Sequence, residues 1–381
     1  MLPDVALLEI FDFYVGDQDD LYLYHPYVED RLTAWYTLVH VCRKWRDIVF
    51  GSPLRLNLRL YCVPHRAAVK DTIVAWAAAW PALPIIVSGN CDHIRDNQKW
   101  ADNIVAVFEH SNRICRLNLI DIRSWQLEKV LAAMQQPFPA LTRLYLRSKD
   151  GETAPVVPDS FLGGSAPHLQ ILLLQSILFP GLPKILLSAT QLVRLYLWGI
   201  PHSGYISPET MVACLSVLTR LEKLTIGFKS PQSRPDRNSR RLPPPTRTLL
   251  PVLIRLEVNG VSEYLEDLVA RIDAPLLDFL MTTFFHQLIF DTPQLTQFIS
   301  RHIPQFKTFD EAHLDFFDCF GKPSVALFSQ NRRLIFSISC NQSDWQLSFL
   351  TQMCSSSMPH GLIPTVENLY IEESNIGRKP P

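Results

Sequence analysis

The sequence predicts a mixed α/β chain, with a short N-terminal helical segment followed by an irregular array of strand–helix repeats. Three observations predict it. A Leu-x-x-Leu-x-Leu pattern returns again and again after a Pro or polar turn. Segments between the copies carry apolar residues at helical spacing. The 381 residues also exceed what one hydrophobic core usually organises, so either several domains or a repeat is expected.

The helical segment comes first. Leu7, Ile10, Phe11 and Tyr14 recur at helical spacing in one short stretch, and Leu38, Val41, Cys42 and Trp45 do so in another. A unit of roughly 50 residues makes a poor independent core, so these helices are expected to lean on something else. Leu2-Pro3, the run Leu7-Leu8-Glu9-Ile10-Phe11, the run Val41-Cys42-Arg43-Lys44-Trp45-Arg46 and the tail Phe50-Gly51-Ser52-Pro53 agree in order and spacing with an F-box. Residues 1–53 thus resemble the F-box of fungal, basidiomycete-type F-box proteins, with a long acidic and Tyr-rich loop at 16–31.

Residues 54–381 form the repeat array. Its central leucines fall at 117, 144, 172, 195, 224, 256 and 280, which are 23 to 32 residues apart. That period resembles the leucine-rich repeat family, in which each strand–helix unit buries its apolar face only by stacking on its neighbours. Weaker strands are expected at Leu54–Leu60 and Leu83–Val87, and a later one at Val366–Ile371. Ser207-Pro208 and Thr292-Pro293 each offer an N-cap followed by Pro at the first helical position. Ser343-Asp344-Trp345-Gln346 has capping-box spacing. Three apolar stripes read as buried helix faces: Trp100, Ile104, Val107 and Phe108; Leu127, Val130, Leu131 and Met134; Leu265, Leu268, Val269 and Ile272. The Pro- and Arg-rich stretch 229–247 reads as a solvated loop, and 305–381 as a degenerate part containing a hairpin over Ser324–Leu327 and Arg333–Ser339.

Composition narrows the class of partner. A net charge of −1 gives no global attraction for nucleic acid or anionic membranes. The uncharged stretches 72–91 and 160–183 contain too many Pro and Gly residues for a lipid-exposed helix. Asp4 and Glu9 interrupt the first apolar stretch, so no secretory leader is expected. Eight scattered cysteines without a Cys-x-x-Cys pair suit buried thiols in a reducing compartment, and the cytoplasm, the nucleus or both are the expected location.

A search for catalytic patterns finds no phosphate loop, dinucleotide fingerprint, nucleophile elbow or zinc-protease motif, and the histidines lack metal-ligand spacing. Asp17, Asp19 and Asp20 lack the Gly and Glu of a calcium loop. No enzymatic activity, cofactor or metal is expected. The repeat strands are more informative, because alternation turns the residues between the leucines away from the core. Arg143 and Tyr145, Leu173 with Ile171, Arg194 and Tyr196, and Glu257 form the candidate substrate face, with Arg and Tyr of the type enriched in protein interfaces. Ile171 and Leu173 are expected to make an exposed apolar patch there.

The F-box resemblance implies a non-catalytic substrate-recognition subunit of an SCF-type cullin-RING ubiquitin ligase. It implies that Leu2, Pro3, Leu7, Ile10, Phe11, Leu38, Val41, Cys42 and Trp45 contact an Skp-type adaptor, which links to cullin and RING subunits, while the repeats hold a protein substrate. Such a subunit acts by raising the effective concentration of its target. The alternative from the residues alone is a leucine-rich-repeat interaction scaffold whose N-terminal helices only cap the array.

Overall fold

The computed structural model describes residues 2–15, 34–52, 60–62, 83–90, 98–149, 154–232, 246–285, 292–302, 310–315, 324–329, 332–339 and 366–372. The loop 16–31, the expected strand residues 54–59, Arg234–Arg241 and the capping box at 343–346 lie outside the described residues. Two compact units are present, one of residues 1–119 with 138–141 and one of 120–137 with 142–381. The expected boundary at 53/54 therefore lies within the first unit rather than between the two.

Helices α1 (Asp4–Val15), α2 (Ala34–Val41) and α3 (Arg43–Gly51) open the first unit. Leu7, Phe11, Leu38, Val39 and Val49 are buried among them, and the Trp45 ring meets Phe11 edge-on at 4.8 Å. The break between α2 and α3 falls at Cys42, whose extended backbone lets its Sγ accept a hydrogen bond from the Trp45 N–H, 3.5 Å away. That sulfur takes the place of the usual hydroxyl or carboxylate at a helix N-cap. Strands β1 (Leu60–Cys62) and β2 (Ile85–Asn90) pair in parallel, so the expected strand at 83–87 begins and ends later. Helix α4 (Gln98–Val107) buries Trp100, Ile104 and Val107 as its spacing requires. The indole of Trp100 rests on Gly89, where an added Cβ would come within 2.6 Å of the ring. The Arg113 guanidinium ties this unit together by donating to the Leu83 carbonyl from Nε (3.0 Å) and Nη2 (2.7 Å). Strand β3 (Ile114–Ile122) follows in the strand order, its last three residues belonging to the second unit.

The second unit contains a large, mostly parallel sheet, so the chain is mixed α/β. Its strands are β4 (Arg143–Ser148), β5 (Ile171–Gln175), β6 (Arg194–Ile200), β7 (Lys223–Phe228), β9 (Arg255–Gly260), β11 (Phe279–Phe285), β14 (Arg332–Ser339), β13 (Ser324–Ser329), β12 (Glu311–Asp315) and β15 (Asn368–Glu372), in that spatial order. Register is uniform from β4 to β14. Leu144, Leu172, Leu195, Leu224, Leu256, Leu280 and Leu334 stand opposite one another in succession, each essentially inaccessible. Ahead of each strand the ladder continues by backbone bonds such as Gln170 N–H to Thr142 O (2.8 Å), Val193 N–H to Gln170 O (2.7 Å) and Glu222 N–H to Val193 O (2.8 Å). The hairpin predicted near the C-terminal part is antiparallel β13–β14.

Short helices cross between the strands: α5 (Ser124–Ala133), α6 (Leu182–Ser188), α7 (Pro208–Leu215), α8 (Ser262–Val269) and α9 (Pro293–His302). Helices α6, α7, α8 and α9 pack each on the next. Ser207 caps α7 as its sequence predicts, accepting from the Thr210 N–H at 3.2 Å. Among the described residues the β4–β5 crossover holds a short 3-10 turn, Phe161–Gly164, and no α-helix. The stripe at Leu265, Leu268 and Val269 is buried as expected, but Ile272 has left the helix for a small strand, β10 (Ile272–Asp273), paired with β8 (Thr248–Leu249). Strand β6 ends in a bulge, with Gly199 at φ +63° facing Ser176, itself at φ +57°.

Candidate functional site

Two surfaces carry the residues singled out by sequence, one in each unit. In the first unit α1 carries apolar residues on both sides. Residues at helical spacing place Leu7, Leu8 and Phe11 on its buried side and Val5, Ile10 and Phe13 on the opposite one. Val5 is 65%, Ile10 48% and Phe13 91% exposed. Glu9, also exposed, falls between Val5 and Phe13 at helical spacing, so the outward side is mixed, and the three large apolar side chains standing in water around it are the feature to explain.

The expected adaptor contacts separate accordingly. Leu2, Pro3, Ile10, Val41 and Cys42 are exposed, whereas Leu7, Phe11 and Leu38 point inward and Trp45 is half-buried. The inward residues hold α1, α2 and α3 together and offer no surface; helical spacing alone did not say which of two apolar sides faces in. Val5 and Phe13, exposed on the same side as Ile10, were not among the residues that sequence singled out. Lys44 ties the start of α1 to α3, with Nζ 3.0 Å from an Asp4 carboxylate oxygen and 3.3 Å from the Leu2 carbonyl. An open cleft lined by Asp4, Leu8, Arg43, Lys44, Asp47 and Ile48 lies beside that link.

In the second unit the residues between the leucines form two rows on the face opposite the leucine ladder. The first row runs Arg143, Ile171, Arg194, Lys223, Arg255, Phe279 and Arg333 across successive strands. The second runs Tyr145, Leu173, Tyr196, Thr225, Glu257, Met281 and Ile335 in the same register. The predicted exposed patch is absent: Ile171 is buried, as are Tyr145 and Thr225, and Leu173 is half-buried. Neighbouring strands stand close enough that long side chains of adjacent rows lie over the shorter ones.

Several of these side chains are fixed by contacts. Arg255 pairs with Glu257 and lays its guanidinium 3.9 Å from the Phe279 ring centroid. Thr225 Oγ1 donates to Glu257 at 3.3 Å. Tyr196 stacks on Trp198, the centroids 5.9 Å apart and the planes 23° from parallel. Arg147 holds Asp121 in a bidentate pair, its Nε donating at 2.8 Å. Trp198, Phe279 and Arg333 belong to this face and were missed by sequence. Trp198 lay two residues beyond Tyr196, a separation that places both on one side of a strand.

Among the described residues four groups have shifted ionisation, Tyr205, Cys214, Tyr264 and Arg301, and none belongs to either surface; burial lowers Arg301. Burial pushes the Tyr264 phenol well up, with Tyr205, Glu209 and Cys214 adding to it; burial and then Glu209 raise Tyr205. Burial also raises the Cys214 thiol. Among the described residues no group of His, Cys, Asp and Glu side chains is arranged to hold a metal ion, and no helix is long and apolar enough to cross a membrane. No protein-family model, curated protein or solved structure matches the chain.

Proposed function

We propose that this protein is the substrate-recognition subunit of an SCF-type cullin-RING ubiquitin ligase, working in the cytoplasm or nucleus. An Skp-type adaptor docks on the N-terminal helices, and a protein substrate docks on the strand face of leucine-rich repeats. The observation that carries the proposal is the exposure of Val5, Ile10 and Phe13 on one side of α1, in a segment that resembles an F-box. A partner that covered it would remove from water side chains worth about 1.5–3 kcal/mol each. The uniform register of strands at a 23-to-32-residue spacing supports the repeat assignment. The subunit then performs no bond chemistry; it raises the local concentration of a target beside a ubiquitin-loaded enzyme.

Co-purification of the full chain with an Skp-type adaptor tests this. Ile10→Ser with Phe13→Ser is expected to abolish capture, since about 4 kcal/mol lost from a micromolar complex weakens it roughly a thousandfold. Capture undiminished in a folded double variant would overturn the proposal. A second reading is favoured by the placement of the helices in one compact unit with β1, β2 and most of β3. On that view the chain is a stand-alone interaction scaffold and the helices cap its array, and no adaptor is captured by either form.

A further inference from the structure

The geometry points to an acidic, extended polypeptide segment as the occupant of the strand face, lying across the strands along the row that begins at Arg143. This rests on the proposed use of that face as the substrate surface, and adds the substrate's chemistry. Five positions of that row are cationic, Arg143, Arg194, Lys223, Arg255 and Arg333, all brought into line by the parallel register. The adjoining row contributes one carboxylate, Glu257, already engaged by Arg255. Arg194 and Lys223 stand opposite each other on neighbouring strands, half-buried, and have no ion-pair partner among the described residues. Two like charges side by side are unfavourable unless a counter-charge meets them. The whole chain carries a net charge of −1, so this concentration of cations is a property of the row and not of the molecule.

Spacing defines what fits. From β4 to β14 the row crosses six strand intervals, about 29 Å at ~4.8 Å each. An extended segment of about nine residues covers that length. Cations two strands apart, as Arg143 and Arg194 or Arg255 and Arg333, recur at roughly 9.6 Å, with Arg255 already sharing its charge with Glu257. A polyproline-type chain repeats its side-chain direction every third residue, at roughly 9.3 Å, so acids at that period meet the row in step. Phe279, half-buried, interrupts the cations between Arg255 and Arg333 and offers apolar contact on the ring face that Arg255 leaves open, whereas Ile171 is buried and offers none.

Single-stranded nucleic acid is the competing anion, and the aromatic side chains disfavour it. Base stacking needs free ring faces. Tyr145 is buried, Tyr196 is stacked on Trp198, and one face of Phe279 is occupied by Arg255.

Fluorescence anisotropy with the full chain provides the test. The probes are a labelled peptide of about ten residues with Glu at every third position and Leu between, its Gln counterpart, and an oligouridylate of similar length. The Glu peptide is expected to bind at least roughly tenfold tighter than the Gln peptide, with an affinity that falls as salt rises. Arg194→Gln with Lys223→Gln is expected to weaken Glu-peptide binding by about tenfold while leaving adaptor capture unchanged. Absent binding of the Glu peptide, equal affinity for the Gln peptide, an unaffected double variant, or tighter binding of the oligouridylate each overturns the inference. Loss of adaptor capture by Ile10→Ser/Phe13→Ser is read separately, so the two proposals fail independently.

Discussion

The Glu266 carboxylate accepts a hydrogen bond from the backbone N–H of Leu295 at 2.7 Å, and another from Gln294 at 2.9 Å. Glu266 sits on α8 and is buried, while the two N–H groups open α9, so one helix caps the next helix packed on it. Those donors belong to the first turn, which has no acceptor of its own, and the carboxylate also meets the positive end of the helix. Glu266→Ala is expected to cost about 2–4 kcal/mol in chemical denaturation, because charged hydrogen bonds vanish and buried donors are stranded. Glu266→Gln keeps an acceptor and should cost roughly half as much.

Phe11 and Phe13 stand two residues apart on α1 with opposite environments, one fully buried against Trp45 and one 91% exposed. Phe11→Ala removes a packed ring and is expected to destabilise the helical unit by about 3–5 kcal/mol. Phe13→Ala should leave thermal stability within about 0.5 kcal/mol. Equal effects of the two on the unfolding midpoint would contradict this assignment of inward and outward sides.

Gly227 on β7 lies under the Trp198 ring of β6, where an added Cβ would approach within 2.6 Å. Gly227→Ala therefore forces the indole aside, at a cost of about 1–3 kcal/mol. In a Trp198→Ala background the same change should cost less than about 0.5 kcal/mol. A double-mutant cycle by urea unfolding measures that difference.

Tyr264 is fully buried, its hydroxyl has no hydrogen-bond partner among the described residues, and its ring lies 6.0 Å from that of Tyr205. Because burial raises its folded pKa above the unfolded value of about 10, the folded state holds its proton where the unfolded state has released it. Stability from this group is complete below about pH 10 and falls as pH rises beyond it. Tyr205 and Cys214, shifted the same way, act in the same direction. Tyr264→Phe is expected to flatten the alkaline fall and to leave neutral-pH stability unchanged or slightly higher, since an unpaired buried hydroxyl is removed. Circular dichroism melts at intervals from pH 8 to about 12 would reveal the change in slope.

The leucine positions, the Ser207 cap and the β13–β14 hairpin were legible in the sequence, because each depends on a local period or a neighbouring residue. Glu266 was not. Its partners lie 28 and 29 residues away, a separation set by stacking rather than by any local pattern. Ile171 shows the limit of alternation: a period of two says which side of a strand a residue takes, not whether adjacent strands cover it. The helical side of α1 has a similar ambiguity. With apolar residues on both sides, spacing located Leu7, Ile10 and Phe11 without ranking them as glue or surface. Strand register likewise follows from backbone pairing, so the alignment of Arg333 with Arg255 through Phe279 could not be anticipated from the degenerate C-terminal part.

Crossovers between the strands differ in content, from a 3-10 turn at 161–164 to helix α7 and the pair β8–β10, yet the leucine ladder keeps step through all of them. The described crossover elements leave the strand register unchanged, so the sheet behaves as a ruler whose graduations are one strand wide. A substitution at one graduation can therefore change the chemistry of the face at that point without moving its neighbours. Gain or loss of one strand with its crossover would slide the scale by one mark, so the chemistry of the face changes in discrete steps while the register stays the same.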